Sequence, residues 1–238
     1  MRALQHSIPA AIAAVALLGA CSQSGNPPSQ PQTDAKTARE AQAQQKLTLY
    51  RSMLASHRDD LAAPIGEEIV KDFGDTAAAA EVDNTLPQIE ADAKATAEHD
   101  RLANLWTYQT ATQSGAIQHT ASIPSSKPAG DAAVQLILRR HAKWGQSVYL
   151  FGSGHGFVCK DLCNVAMRFD GTSRTWKAYL PKTGEPALFI KDDPRFIAAM
   201  QKAKVIEMDV DTRDQGRETL QFEVGGFDPG KLPPLSKH

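Results

Sequence analysis

With 238 residues, 42% of them apolar, and 26 Lys and Arg set against 27 Asp and Glu, the chain has the composition of an ordinary soluble globule, enough for one large domain or two small ones. Neither half approaches the basic density of a nucleic-acid binder, so that class is excluded. The charge is unevenly spread: Thr33 to Ala103 carries 14 acidic and 8 basic residues, net −6, while Asn104 onward carries 13 and 17, net +4. Such an asymmetry steers the two halves towards each other or towards different partners.

The chain opens on Arg2 followed by the apolar run Ile8 to Leu18, eleven residues with Pro9 near its start. A membrane-spanning helix needs roughly twenty residues, so this run reads as the core of a signal peptide. Leu18-Gly19-Ala20-Cys21 resembles the lipobox of bacterial lipoproteins. The resemblance implies that residues 1–20 are removed and that Cys21 is thioether-linked to diacylglycerol as the new first residue. Ser22 follows, where an Asp would imply retention at the inner membrane, so the resemblance places the protein at the outer membrane, facing the periplasm. Several acyl chains on one cysteine, each methylene worth about 0.8 kcal/mol when buried, make a stable anchor where one chain would not. Apart from Cys21 and Thr33, residues 21–33 are Ser, Gln, Asn, Gly and Pro with little to bury, the composition of a flexible tether.

Residues 34–103 read as helical. Leu47, Tyr50, Leu54, His57 and Leu61 recur at steps of three and four and stripe one face; Thr33-Asp34 supplies a start and Ala63-Pro64 a stop. A short helix is expected from Ile65 to Phe73, and another from Leu86 to Leu102 with Ile89, Ala93 and Ala97 on one side. These stripes are narrow and rich in alanine, so each buries little apolar area.

At Asn104 the period changes to two. Short β-rich runs follow: Trp106 to Gln109, Ile117 to Ile123, Val134 to Leu138, Val148 to Phe151, Val165 to Phe169, Trp176 to Leu180, Leu188 to Ile190, Val205 to Val210 and Leu220 to Val224. Val165, Met167 and Phe169 alternate with Ala166, Arg168 and Asp170, and Ile206, Met208 and Val210 alternate with acidic residues, the pattern of antiparallel strands with one dry face. Asp170-Gly171 is a hairpin turn. One helix interrupts, with Asp193 as N-cap, Pro194 at the first helical position and Phe196, Ile197 and Met200 on the buried side. The expected fold is α+β: an antiparallel β-sandwich or open barrel over 104–228 with one inserted helix, preceded by helices and followed by a tail, 229–238.

Trp106-x-Tyr108, Leu136-x-Leu138-Arg139, Cys163-x-Val165-x-x-Arg168-Phe169-Asp170, Leu188-Phe189-Ile190 and Phe222-x-Val224-x-Gly226-Phe227 occur in that order. The series resembles a largely uncharacterised group of bacterial envelope domains and is more loosely similar to periplasmic accessory proteins associated with type VI secretion. It spans roughly Leu105 to Asp228, and Cys163 to Asp170 is its most specific stretch. An acidic residue soon after Trp-x-Tyr is usual in that group; Gln109 to Gln113 contains none.

With Cys21 lipidated, Cys159 and Cys163 remain as an even pair in an oxidising compartment, and their spacing suits a structural disulfide pinching a turn. His155 stands near, but two thiols and one imidazole fall short of a zinc site, and no cofactor or metal is expected. Gly152-Ser153-Gly154-His155-Gly156 precedes the strand-like Phe157-Val158 and not a helix, so it reads as a loop and not as a phosphate cradle. Ser153 and His155 have no orienting carboxylate in sequence, and His57, His99, His119 and His141 form no ligand spacing. Arg139, Arg140, Lys143 and Trp144 gather at the end of one strand, the best candidate for a partner-facing patch.

These features point to a lipid-anchored protein-binding module, not an enzyme, engaging another envelope or secreted protein. An inhibitor or immunity protein against a secreted antibacterial toxin fits the tether; a structural or assembly accessory of a secretion system is the alternative. An enzyme acting on cell-wall polymers lacks paired carboxylates or a nucleophile in context.

Overall fold

The computed structural model describes residues 30–152 and 154–234; Cys21 with its lipobox, and Ser153, lie outside them. Four helices come first: α1 (Gln30–Ala55), α2 (Asp59–Asp72), α3 (Ala77–Asp83) and α4 (Leu86–Ala103). The break between α1 and α2 falls at His57, not at the expected Pro64. His57 adopts φ 54°, its N–H reaches the Leu54 carbonyl at 3.0 Å and the Arg58 N–H reaches that of Met53 at 2.9 Å. That is the left-handed C-terminal cap usually built on glycine. Pro64 instead sits exposed inside α2, where only the one bond to the Asp60 carbonyl is lost. The helix expected from Ile65 is therefore the second half of α2, and α3, capped by the Thr76 hydroxyl accepting from the Ala79 N–H at 3.2 Å, was not anticipated.

The helices share a small core of Ala43, Leu47, Tyr50, Ala62, Ile69, Ala78, Ala79, Val82 and Leu86. Close approach depends on Gly66: a Cβ there would stand 2.7 Å from Leu86 Cδ1 and 3.0 Å from the Tyr50 ring.

The nine expected strands are all present: β1 (Thr107–Gln113), β2 (Ala116–Pro124), β3 (Gln135–His141), β4 (Gly145–Phe151), β5 (Cys163–Phe169), β6 (Thr172–Tyr179), β7 (Ala187–Ile190), β8 (Ile206–Thr212) and β9 (Gly216–Phe222). They form one antiparallel sheet in the order β1-β2-β3-β4-β7-β6-β5-β8-β9, the open-barrel alternative and not two packed sheets. A single sheet with one dry face must curl to cover it. Alternate residues of each strand, among them Leu138, Leu150, Met167, Met208 and Phe222, meet in one core on the concave side. The curl brings Gln221 of β9 against the chain just past β2: the Ser126 N–H donates to its carbonyl at 2.7 Å, and its own N–H to the Lys127 carbonyl at 2.8 Å. β1 and β9 share no ladder, so the sheet stays open.

Helix α5 (Asp193–Met200) follows β7, with Phe196, Ile197 and Met200 buried as expected. The N-cap is Asp192, one residue earlier than expected, in a left-handed conformation without a side-chain cap bond; Asp193 instead accepts from Gln146 at 2.7 Å. Cys159 and Cys163 are at disulfide distance, Sγ atoms 2.15 Å and Cα atoms 5.5 Å apart. The pair clips the end of the β4–β5 crossover, not a hairpin turn, because β4 and β5 are not neighbours in the sheet.

The helices join the sheet at one seam. Arg101 of α4 donates to Glu223 at 2.7 Å while holding Glu98 at 2.8 Å. Gly226 lies so close to α4 that a Cβ there would be 2.2 Å from the Leu102 carbonyl carbon. Trp106 packs against Phe227 at 5.0 Å between ring centres, and the Tyr108 hydroxyl accepts from the Asp228 N–H at 2.7 Å.

Candidate functional site

Strands β4 and β7 break the wet-face rule. Their dry positions are Val148, Leu150, Leu188 and Ile190, yet Tyr149, Phe151 and Phe189 occupy the alternate positions and face outward. Registry makes these residues neighbours: Tyr149 pairs with Phe189, and Phe189 with Tyr179 of β6. The rings stack across strands, Tyr179 to Phe189 at 5.5 Å and Phe189 to Tyr149 at 4.8 Å. Arg139 of β3 continues the row, its guanidinium 5.3 Å from the Tyr149 ring centre, 5.9 Å from Phe189 and 5.4 Å from Trp144. Trp144 in turn lies flat on His141, 3.7 Å away with 10° between planes.

His141 fixes the last rung. Although it ends β3, next to the β3–β4 turn, it is fully buried. Its Nδ1 accepts the N–H groups of Lys143 and Trp144 at 3.1 and 3.3 Å, and Nε2 donates to the Gln113 carbonyl at 3.0 Å. Arg139 is held as firmly: its Nε donates to Ser147 at 3.1 Å, and stacked cations and rings reinforce one another by roughly 0.5–2 kcal/mol per pair. Burial raises the Tyr149 phenol above its ordinary pKa, partly offset by Arg139.

Beside the ladder runs a groove of about 390 Å³, walled by Arg139, Trp144, Tyr149, Phe151 and Phe189 and by the β6–β7 loop carrying Thr183 and Glu185. Glu185 is held below the usual carboxylate range, first by the Thr183 hydroxyl and its own backbone N–H and then by Arg139. Trp144 is 50% exposed, Phe151 41% and Tyr179 37%. Contiguous exposed aromatics of this kind mark interaction surfaces.

Of the four residues the sequence singles out, the structure brings Arg139 and Trp144 together. Arg140 points to the opposite face, where it donates to the Leu232 carbonyl and to Gln146 and ties down the C-terminal segment. Lys143 turns aside to donate to the Ser114 carbonyl at 2.8 Å. Tyr149, Phe151, Tyr179 and Phe189 were missed as site residues. The signal for three of them was present, since Val148-Tyr149-Leu150-Phe151 and Leu188-Phe189-Ile190 are apolar without alternation, as strands buried or contacted on both faces are.

Other candidates take folding roles. Arg168 of the Cys163–Asp170 stretch forks between Glu207 at 2.7 Å and both oxygens of Asp209 at 2.9 Å, and the Arg168 bonds hold Asp209 down to a pKa of about 2. Asp170 accepts from the Lys204 and Val205 N–H groups. His155 does gain an orienting carboxylate, from the β8–β9 turn: Asp214 accepts from its Nδ1 at 2.5 Å and its backbone N–H at 3.0 Å. That exposed pair ties the glycine loop down. No group of three His, Cys, Asp or Glu among the described residues could hold a metal. Compared with protein-family models, curated proteins and solved structures, the chain matches none of them.

Proposed function

We propose that this chain is an outer-membrane lipoprotein, anchored through Cys21 and facing the periplasm, whose folded part is a protein-binding module. One observation carries the reading: the aromatic and arginine ladder occupies the sheet face that the core does not use. A cation clamped among rings, with aromatic area on both sides, has the composition of an interface hot spot, where Trp, Tyr and Arg supply most of the energy. The finer reading is an inhibitor or immunity protein against a secreted antibacterial toxin. A rigid face loses little freedom on binding, and the cation and the net charge of +4 from Asn104 onward draw in an acidic partner quickly.

A photo-crosslinking residue at Phe151 of the full-length chain should trap one envelope or secreted protein. Arg139→Glu should abolish that product while leaving the melting temperature within a few degrees of wild type. The same product formed equally from Lys71 on α2, outside the groove lining, would reject the ladder as the contact. Metabolic labelling with a palmitate analogue should mark wild type and not Cys21→Ala; equal labelling would remove the anchor.

A further inference from the structure

The two edges of the sheet are treated differently. β9 carries Arg217 and Glu218, and its Gln221 is already bonded to Ser126 and Lys127. β1 is TYQTATQ: no charge, no proline, and an unbroken register from Thr107 against Ser122 to Gln113 against Ala116, hence no bulge. Every β1 residue except Tyr108 is exposed. Edges of this length are ordinarily blunted by just those devices, because open N–H and C=O groups are a template for another strand.

The hairpin turn determines which groups are open. Ser114 and Gly115 have φ of 50° and 69°, the two-residue turn that makes Gln113 and Ala116 a doubly bonded pair. Bonding then alternates, so Ala111, Gln109 and Thr107 also bond to β2, while Tyr108, Thr110 and Thr112 turn their N–H and C=O groups outward. The Ala142 N–H reaching the Ile117 carbonyl from the β3 side, at 3.0 Å, agrees with that phase. Among the described residues these outward groups have no partner outside the β1–β2 ladder.

We propose that β1 is a strand-addition edge whose occupant is a second copy of this chain, paired antiparallel with Thr110 on the two-fold axis. In that register Thr110 bonds to its own equivalent, and Tyr108 and Thr112 bond to Thr112 and Tyr108 of the second copy, so every outward group finds a partner. An uncharged strand places no like charges opposite each other, whereas a charged partner strand would find nothing on β1 to read. With β9 obstructed, pairing ends at two copies and builds a closed dimer, not a filament.

Opposed residues in a doubly bonded antiparallel pair have Cα and Cβ atoms about 5.5 Å apart, wider at Cβ than the roughly 3.5–4.5 Å of a disulfide but well within reach of a short bis-maleimide. Thr110→Cys in the full-length chain, treated with a short bis-maleimide in isolated envelopes, should therefore give a homodimer where wild type gives none. Thr112→Cys should crosslink at least about tenfold less, its equivalents lying about 13 Å apart, and Thr219→Cys on β9 should stay monomeric. As a measurement free of introduced thiols, light scattering of the detergent-solubilised chain should show a dimer that Thr110→Lys halves in mass. A monomeric wild type, equal crosslinking at residues 110 and 219, or a crosslink to a different protein in place of the homodimer would each overturn the proposal.

Discussion

The helical region and the β-domain solve the same burial problem with different materials. Five of the nine buried residues in the helical core are Ala or Val, and Gly66 sets the spacing, so the helices approach closely but remove little apolar area from water. The barrel buries Leu, Ile, Met, Phe and Trp from eight strands in one cluster. Since stabilisation scales with area at roughly 25 cal/mol per Å², the β-domain holds itself together and the helices depend on the seam at Arg101, Trp106 and Gly226.

The strongest test of that contrast is Leu138→Ala. Leu138 is wholly buried at mid-barrel, and its truncation should cost about 2–5 kcal/mol, read as a matching fall in the urea midpoint for helix and sheet signals together. Helices that kept their own midpoint after this change would prove independent of the barrel. Next comes Gly226→Ala. Backbone atoms of Leu102 and Ala103 leave a Cβ no room, so the seam should open at a cost of about 1–3 kcal/mol and one calorimetric transition should become two, the helical one lower. A single unchanged transition would show that the seam does not couple the two regions.

The smallest effect separates the ion pairs. Those of the helices, Arg39–Asp75 and Arg51–Glu81, are about half exposed and screened, whereas Arg168 and Asp209 are mostly covered. Asp209 titrates near 2 in the folded state and near 3.9 unfolded. The folded value is depressed, so its contribution is complete above pH 4 and is lost as pH falls through 2. Asp209→Asn should remove about 1–2 kcal/mol at pH 7 and flatten the stability curve between pH 4 and 2. An unaltered acid transition would assign acid sensitivity to other carboxylates.

Legibility followed the same divide. Alternation located strands such as β5 and β8, because residues such as Met167 and Met208 have one dry and one wet side to report, while β4 and β7 were found as short apolar runs and α5 from its Asp193-Pro194 start. The helices were harder. His57 takes a left-handed cap that glycine normally announces, Pro64 looks like a terminator yet costs α2 only one bond, and the alanine run of α3 carries no contrast between faces. Within the site, Arg139 and Trp144 were visible as types that carry interfaces. Sequence proximity also enlisted Arg140, although strand alternation already sets it on the face opposite Arg139, and Lys143, which the β3–β4 turn directs to the Ser114 carbonyl. Tyr179 reaches the ladder only through registry between β6 and β7, which no local pattern encodes.

Time enters through the strand order. β1 to β4, β5 to β7 and β8 to β9 each form from successive antiparallel neighbours, which close short loops and pair early. The middle unit is laid into the sheet in reverse, so both its borders meet strands distant in sequence: Val148 against Ile190 on one side and Met167 against Met208 on the other. Contacts of long separation are the slow ones, since loop closure must precede any gain from them. Docking of β5–β6–β7 between its neighbours is therefore the pairing step expected to be slowest, and before it the hairpins would stand with unpaired borders and an uncovered core.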